Sequence, residues 1–485
     1  MLQKLQETIL QSSLIYPEIF LAILAIILVI LATFSVSYRS CLVVFMFGML
    51  LTGLAMWSII FFLRQDSTVP TAYLQISAGL LTQSYQNIVF KTFFIFAGIF
   101  TAFLSYQEQN LKKDGVFLAL LTSIILAMNL ACSTNNLLLL YICIEVVSVL
   151  SYLLLLFQHT YLAKEAAVKY FLTGATVSGI MLYGISLLYG FSGSLSIPDI
   201  ASKVIYFANL PFYFACLLTL LGFLFKIVAV PVHTWVADVY EGTATSIVAF
   251  LTTASKILGI AILFFVLQTA AYHKISIQNF ISILAILSLL FGTFGAILQQ
   301  NAKRLLAYSS VAHSGFLLAL LSSVSYFNDT LVDNFYTLIF YLLSYFLLSY
   351  AVFYSILLVE NSRKSSNIEA FAGLGKIQTD FAILILFIFM GFAALPPTSG
   401  FTAKLLVFMA LLQTYSTTPQ TLSLILLLVL LLTSLVSLYF YLKIPYYLFF
   451  KKIEHKAIAI RFIDKFLLFI LALAILVLFI KPEIM

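Results

Sequence analysis

Apolar runs of about twenty residues recur along nearly the whole chain, separated by short polar connections. Each run is long enough to cross a hydrocarbon core about 30 Å thick as a helix rising about 1.5 Å per residue. Fourteen helices are predicted, near residues 14–36, 41–63, 86–106, 115–132, 137–158, 166–190, 209–230, 245–270, 277–298, 304–324, 334–359, 378–395 continuing after a break to 413, 420–443 and 462–480. The longest connecting stretches, 64–85 and 191–208, are only weakly hydrophilic, so no soluble domain interrupts the series. The expected fold class is an all-α membrane protein of about fourteen transmembrane helices.

Two of these helices carry proline where the apolar pattern continues. The seventh reads LFKIVAVPVHTW and breaks at Pro231; the twelfth reads GFAALPPTSGFTAKLLVF and breaks at Pro396 and Pro397. A proline inside a helix removes one backbone donor and frees the carbonyl four residues back, which protein or water must then satisfy. Helices four to eight and nine to thirteen form two five-helix sets, each broken in its fourth member. Because five is odd, the sets enter the membrane from opposite sides, which predicts two inverted repeats and a transport path. The expected organisation is one polytopic domain over 1–485: N-terminal helices in 1–114, a first repeat in 115–270, a second in 277–443 and a last helix at 462–480.

Composition agrees with the pattern. The chain is 63% hydrophobic and 9% charged with mean hydropathy +1.12, whereas soluble chains carry about 25% charged residues. Its net charge of +7 is dispersed over short loops and lines no single face, so it reads as membrane topology and not as nucleic-acid binding. Basic residues Arg39, Lys112, Lys113, Lys164, Lys303, Arg304, Arg363, Lys364, Lys376, Lys451, Lys452, Lys456 and Arg461 follow odd-numbered helices. The opposite connections hold only Lys4, Arg64, Lys203, Lys274 and Lys481. Odd connections are thereby expected to face the cytoplasm or matrix, leaving both termini on the outer side. Cys41, Cys132, Cys143 and Cys216 lie scattered in or beside apolar runs without CxxC spacing, which indicates no disulfide framework and no metal or iron–sulfur site. The first twenty residues show no cleavable signal, and the richness in Phe, Ile, Leu and Tyr fits an AT-biased genome such as a mitochondrial one, with a bacterial origin open.

Against this background a few ionisable residues stand out. Glu145 lies nine residues past Asn136, Lys256 ten past Ser246 and His313 nine past Arg304, each about 14 to 15 Å deep at about 1.5 Å per residue and so near the bilayer midplane. Lys226, Lys404 and Lys169 complete the set, with Glu145 as the one deeply embedded acid. Such residues are costly in a membrane and mark ion or proton pathways. Each has a plainer account: Lys169 snorkels, Lys91 anchors at the interface, His313 hydrogen-bonds a neighbouring helix, Asp238 and Glu241 cap and charge a helix start, and Glu145 with Lys226 forms a static ion pair. Lys256 and Lys404 resist such an account because no embedded acid remains to pair with them.

The runs EAAVKYFLTGA, FKIVAVPVHTWVADVYEG, NAKRLLAYSSVAHSGF and LPPTSGF followed by Lys404 resemble the antiporter-like subunit family of respiratory complex I, NADH:ubiquinone oxidoreductase, and within it the subunit 2 group. The chain departs from that pattern where TATS replaces Pro-Thr-Pro and VAD replaces Pro-Asp. The resemblance implies an inner-membrane proton-translocating subunit in which Glu145, Lys226, Lys256 and Lys404 match the charged positions. It implies neighbouring antiporter-like subunits, membrane lipids, and NADH, FMN, iron–sulfur clusters and ubiquinone held by other subunits. This chain shows no GxGxxG fingerprint and no ligand set of its own. The mitochondrial inner membrane is the expected location, the bacterial plasma membrane its alternative. The alternative function is a subunit of a multisubunit cation/proton antiporter; a purely structural spacer would require the embedded lysines to be replaceable.

Overall fold

A computed structural model describes residues 15–65, 74–76, 80–207, 210–269, 274–323, 330–417, 419–451 and 460–482. The expectations placed on Lys4, Lys452, Lys456 and the two chain ends lie outside them. Helices dominate because in lipid every backbone polar group must be paired, and a helix does this within one segment. The exception is a hairpin in the weakly hydrophilic stretch: β1 (Leu74–Ile76) pairs antiparallel with β2 (Leu81–Gln83), Leu74 opposite Gln83. Among the described residues thirteen helices are long and apolar enough to span a membrane. The broken helix at Pro396 supplies the fourteenth in two pieces, so the predicted series is found.

The chain divides into two compact units, residues 1–226 with 257–272, and residues 227–256 with 273–485. The first unit is built from α1 (Tyr16–Thr33), α2 (Tyr38–Gln65), α3 (Tyr85–Gln107), α4 (Gly115–Ser133), α5 (Leu137–Leu155), α6 (Tyr161–Ser192), α7 (Ile197–Phe207) and α8 (Leu210–Ile227) up to Lys226, with the later α11 (Lys256–Thr269) from Ile257 onward; Ile227 and Lys256 themselves belong to the second unit. Starts are set locally: Ser84, Asp114, Asn136 and Thr160 each accept a backbone N–H of the helix that follows. Side chains then lock the helices together. Phe264 and Phe265 of α11 pack on Phe90 of α3, with centroids 6.3 and 5.7 Å away. Gly184 lets α6 meet α8 backbone to backbone, since a Cβ there would stand 2.6 Å from the Thr219 nitrogen.

The second unit holds α9 (Val236–Gly242), α10 (Thr245–Phe250) with a π-helical turn Leu251–Ser255, α12 (Lys274–Ile297), α13 (Ala302–Ser323), α14 (Thr330–Arg363), α15 (Leu374–Ile377), α16 (Thr379–Phe392), α17 (Ser399–Thr417), α18 (Thr421–Phe450) and α19 (Phe462–Ile480). At its centre is α13, whose spanning window is 94% buried against 28% for α18. Gly292 makes this possible on the α12 side, where a Cβ would approach the Ala312 nitrogen to 2.3 Å. Asp238 and Glu241, expected at a helix start, lie within α9, which forms because no proline follows Pro231 in this stretch and each amide remains free to donate.

Candidate functional site

Both proline breaks lie in the second unit, and each freed carbonyl has found a donor. The Ile227 carbonyl, four residues before Pro231, accepts from the Ser314 hydroxyl of α13, and the Val230 N–H donates to Ser288 Oγ at 3.1 Å. The Phe392 carbonyl, four before Pro396, accepts from Lys404 Nζ at 3.4 Å. Val228 and Ala394 sit at φ of 62° and 57°, a left-handed backbone that non-glycine residues avoid and that is strained for a β-branched valine. Gly400 is required beside the second break: a Cβ there would stand 1.9 Å from the Gly391 carbonyl oxygen.

Around α13 the predicted residues Lys256, His313 and Lys404 are assembled with tyrosines that the sequence reading did not single out. Lys256, fully buried directly after the π-helical turn, donates to the carbonyl of Ser310 and to Ser310 Oγ at 2.7 Å, with its ammonium 4.9 Å from the Tyr345 ring centroid. Tyr345 Oη in turn donates to Ser310 Oγ at 3.3 Å. His313 has both ring nitrogens engaged, Nδ1 with Tyr341 Oη at 2.7 Å and Nε2 with Tyr441 Oη at 3.2 Å, and its ring centroid is 4.8 Å from that of Tyr345. Lys404 contacts Ser437 Oγ at 3.4 Å and lies 5.0 Å from the Phe316 ring centroid. A cavity of about 10 Å³ lined by His313, Tyr341, Ser344, Tyr345 and Lys404 is the size of a single water. Among the described residues no carboxylate comes within ion-pair distance of Lys256 or Lys404. Neutral dipoles alone meet their charge, so gaining or losing a proton breaks no ion pair.

The polar connections at one end of this unit are tied by charge. Arg304 binds Asp238 Oδ1 at 2.9 Å and Glu241 Oε2 at 2.8 Å; Lys303 binds Glu360 at 2.9 Å and the Thr243 carbonyl at 3.1 Å; Thr245 donates to Glu360 at 2.6 Å. Asp238 and Glu241, expected as a cap and dipole partner, therefore act as a two-carboxylate seat for Arg304. Lys303, counted among the exposed topology charges, is buried in an ion pair.

In the first unit the expected Glu145–Lys226 pair is not in contact. Lys226, 2% exposed, donates to Ser148 Oγ at 2.8 Å, one turn along α5 from Glu145. Glu145 is half-buried, and its Oε1 is enclosed without a hydrogen-bond partner. Ser148 was overlooked because a serine in an apolar helix carries no signal until the opposing lysine is known. Glu145 is also not the most deeply enclosed acid. Glu18 is buried and pairs with Lys91 at 2.6 Å, and Gln83 Oε1 accepts from the same ammonium at 2.8 Å. Lys91 is thus no interfacial anchor: its side chain is 1% exposed. Lys169 does lie at the surface, paired with Glu165 one turn back at 2.9 Å, with side chains 44% and 42% exposed.

Residues 134–433 match the family model described as NADH:quinone oxidoreductase/Mrp antiporter, TM. Among curated proteins the chain is similar to NADH-quinone oxidoreductase subunit N of Chlorobium chlorochromatii, 32% identical over 458 residues, covering 90% of this chain and 85% of that protein. Among solved structures it is similar to a chain of respiratory complex I from Thermus thermophilus with bound aureothin, at TM-score 0.76 and 26% identity, covering 96% of this chain and 98% of that one. A chain of the Mrp complex from Dietzia sp. shares the fold at TM-score 0.81 and 18% identity, covering 98% and 95%. Match length, identity and two-way coverage place this chain in the NADH:quinone oxidoreductase/Mrp antiporter transmembrane family.

Proposed function

We propose that the chain is the proton-translocating antiporter-like subunit of a respiratory complex I membrane arm, the subunit named N in its bacterial relatives and 2 in mitochondria. The carrying observation is the buried polar series of the second unit: Lys256 to Ser310, Ser310 to Tyr345, Tyr345 to His313, and His313 to Lys404 around a water-sized cavity. Hydroxyl and imidazole groups both give and accept protons, so such a series supports relay where lysines alone would not. In the first unit Glu145, Ser148 and Lys226 form a separate ionisable group whose lysine alternates between serine and carboxylate. Pro231, Pro396 and Pro397 provide the flexible joints. Redox chemistry with NADH, FMN, iron–sulfur clusters and ubiquinone is assigned to other subunits.

The bacterial origin of the relatives supports a plasma membrane more than the mitochondrial inner membrane suggested by composition. The excess of basic residues in odd-numbered connections supports termini on the outer side. An exposed charged pair inside a spanning helix is costly against lipid, so the Glu165–Lys169 pair supports a reading in which a neighbouring membrane subunit covers this face of α6. The alternative reading, a cation/proton antiporter subunit, is favoured by the shared fold of the Mrp chain. Purification of the native assembly separates the two: co-migration with flavin and iron–sulfur subunits supports the complex I reading, and their absence refutes it.

A further inference from the structure

Tyr240 of α9 is fully buried, and its hydroxyl lies beside Thr252 and Ser310 without reaching good hydrogen-bond geometry with either. A buried tyrosine hydroxyl normally finds a partner, because its desolvation is otherwise uncompensated. Its position is imposed from the other side of α9. Asp238 and Glu241, three residues apart, both hold Arg304. Tyr240, offset from them by about 200° and 100° of helical rotation, is turned away from that clamp and inward. Ser310 is six residues beyond Arg304 along α13, so the phenol reaches the level of the serine that holds Lys256.

Ser310 has the complementary deficit. Its Oγ accepts from Lys256 Nζ at 2.7 Å and from Tyr345 Oη at 3.3 Å, which occupies both lone pairs and leaves only its hydrogen to give. Its carbonyl is occupied as well, by Lys256 and by Ser314 Oγ at 3.0 Å. Beside it, Tyr240 Oη is a buried polar atom whose own geometry leaves it free to accept that hydrogen.

We propose that Tyr240 is the relay residue through which Lys256 exchanges its proton, a role that rests on the proton-translocating function proposed above. Lys256 passes a proton to Ser310 Oγ as the serine hydroxyl proton moves to Tyr240 Oη, directly or across one bridging water. The phenolic proton moves on to a water beyond it on the Thr252 side. Each hydroxyl ends with the protons it began with, Lys256 becomes neutral and the last water becomes hydronium; uptake is the reverse. The Arg304 clamp then serves to hold α9 so that the phenol keeps this aim.

The test is Tyr240→Phe, which removes the hydroxyl and keeps the ring, in the complete complex reconstituted into vesicles, with Lys256→Ala in parallel. Assembly is checked on native gels, proton uptake is measured per NADH oxidised, and the solvent-deuterium isotope effect is recorded. Both variants are expected to assemble and to lose proton translocation, about tenfold or more for a positioned proton-transfer group, and Tyr240→Phe is expected to raise the isotope effect. A purely structural tyrosine would leave the isotope effect unchanged. Normal translocation in Tyr240→Phe beside a defective Lys256→Ala overturns the relay and leaves the function standing; normal translocation in both overturns the function itself. If Tyr240→Phe fails to assemble, Ser310→Ala decides, since the relay also needs that hydroxyl and unchanged translocation there refutes it.

Discussion

Lys404 Nζ donates to the carbonyl of Phe392, the group whose helical partner is removed by Pro396. At the other break the corresponding carbonyl, of Ile227, is held by a hydroxyl that stays neutral, Ser314. One break is therefore capped by a group that does not titrate and the other by one that does. The protonation of Lys404 and the geometry at Pro396 belong to a single equilibrium.

Lys404→Ala should consequently lower proton translocation and also leave the Phe392 carbonyl uncapped, a loss of about 1–3 kcal/mol for a buried polar group. Proton-to-electron ratio and thermal unfolding of the purified assembly read the two effects separately. A normal ratio in the mutant complex would remove Lys404 from the pathway whatever its stability.

Because Ser148 holds the Lys226 ammonium at 2.8 Å, with Glu145 one turn away on the same helix, we expect Glu145→Gln and Lys226→Ala each to impair pumping. The double mutant should be no worse than the poorer single mutant. Additive losses in log rate would show that the residues act independently. Ser148→Ala removes the serine alternative, so the lysine stays with the carboxylate and turnover slows without loss of assembly.

The Glu18–Lys91 pair tells a structural story. Removing one partner of a buried pair leaves an uncompensated charge, typically at a cost of about 3–5 kcal/mol. Lys91→Met should lower the melting temperature of the assembly, and Glu18→Leu with Lys91→Met should recover most of the loss. Translocation per assembled complex is expected to stay normal. A pumping defect in the stable double mutant would count the pair among the proton-carrying groups instead.

Topology is checked by single cysteines introduced near Lys112 and Arg363 and near Asp199. The first two should react with a membrane-impermeant thiol reagent from the cytoplasmic or matrix side, the last from the outer side. Labelling of all three from one side would contradict the inverted repeats.

The spanning helices, the two breaks and the identity of Lys226, Lys256, His313 and Lys404 as embedded polar residues were determined by the sequence alone. Each depends on local chemistry: the length of an apolar run, a proline that removes one donor, a charge where lipid tolerates none. Even the freed carbonyls of Ile227 and Phe392 followed by counting four residues back. What tertiary structure decided was partnership. Ser148 lies 78 residues from Lys226, Gln83 and Glu18 meet Lys91 from separate elements, and Tyr441 is 128 residues from His313. In a soluble protein the buried face of a helix is announced by its apolar stripe. Here core and lipid are equally apolar, so Tyr240, Tyr341, Tyr345 and Tyr441 look like any of the 27 tyrosines until packing turns them inward.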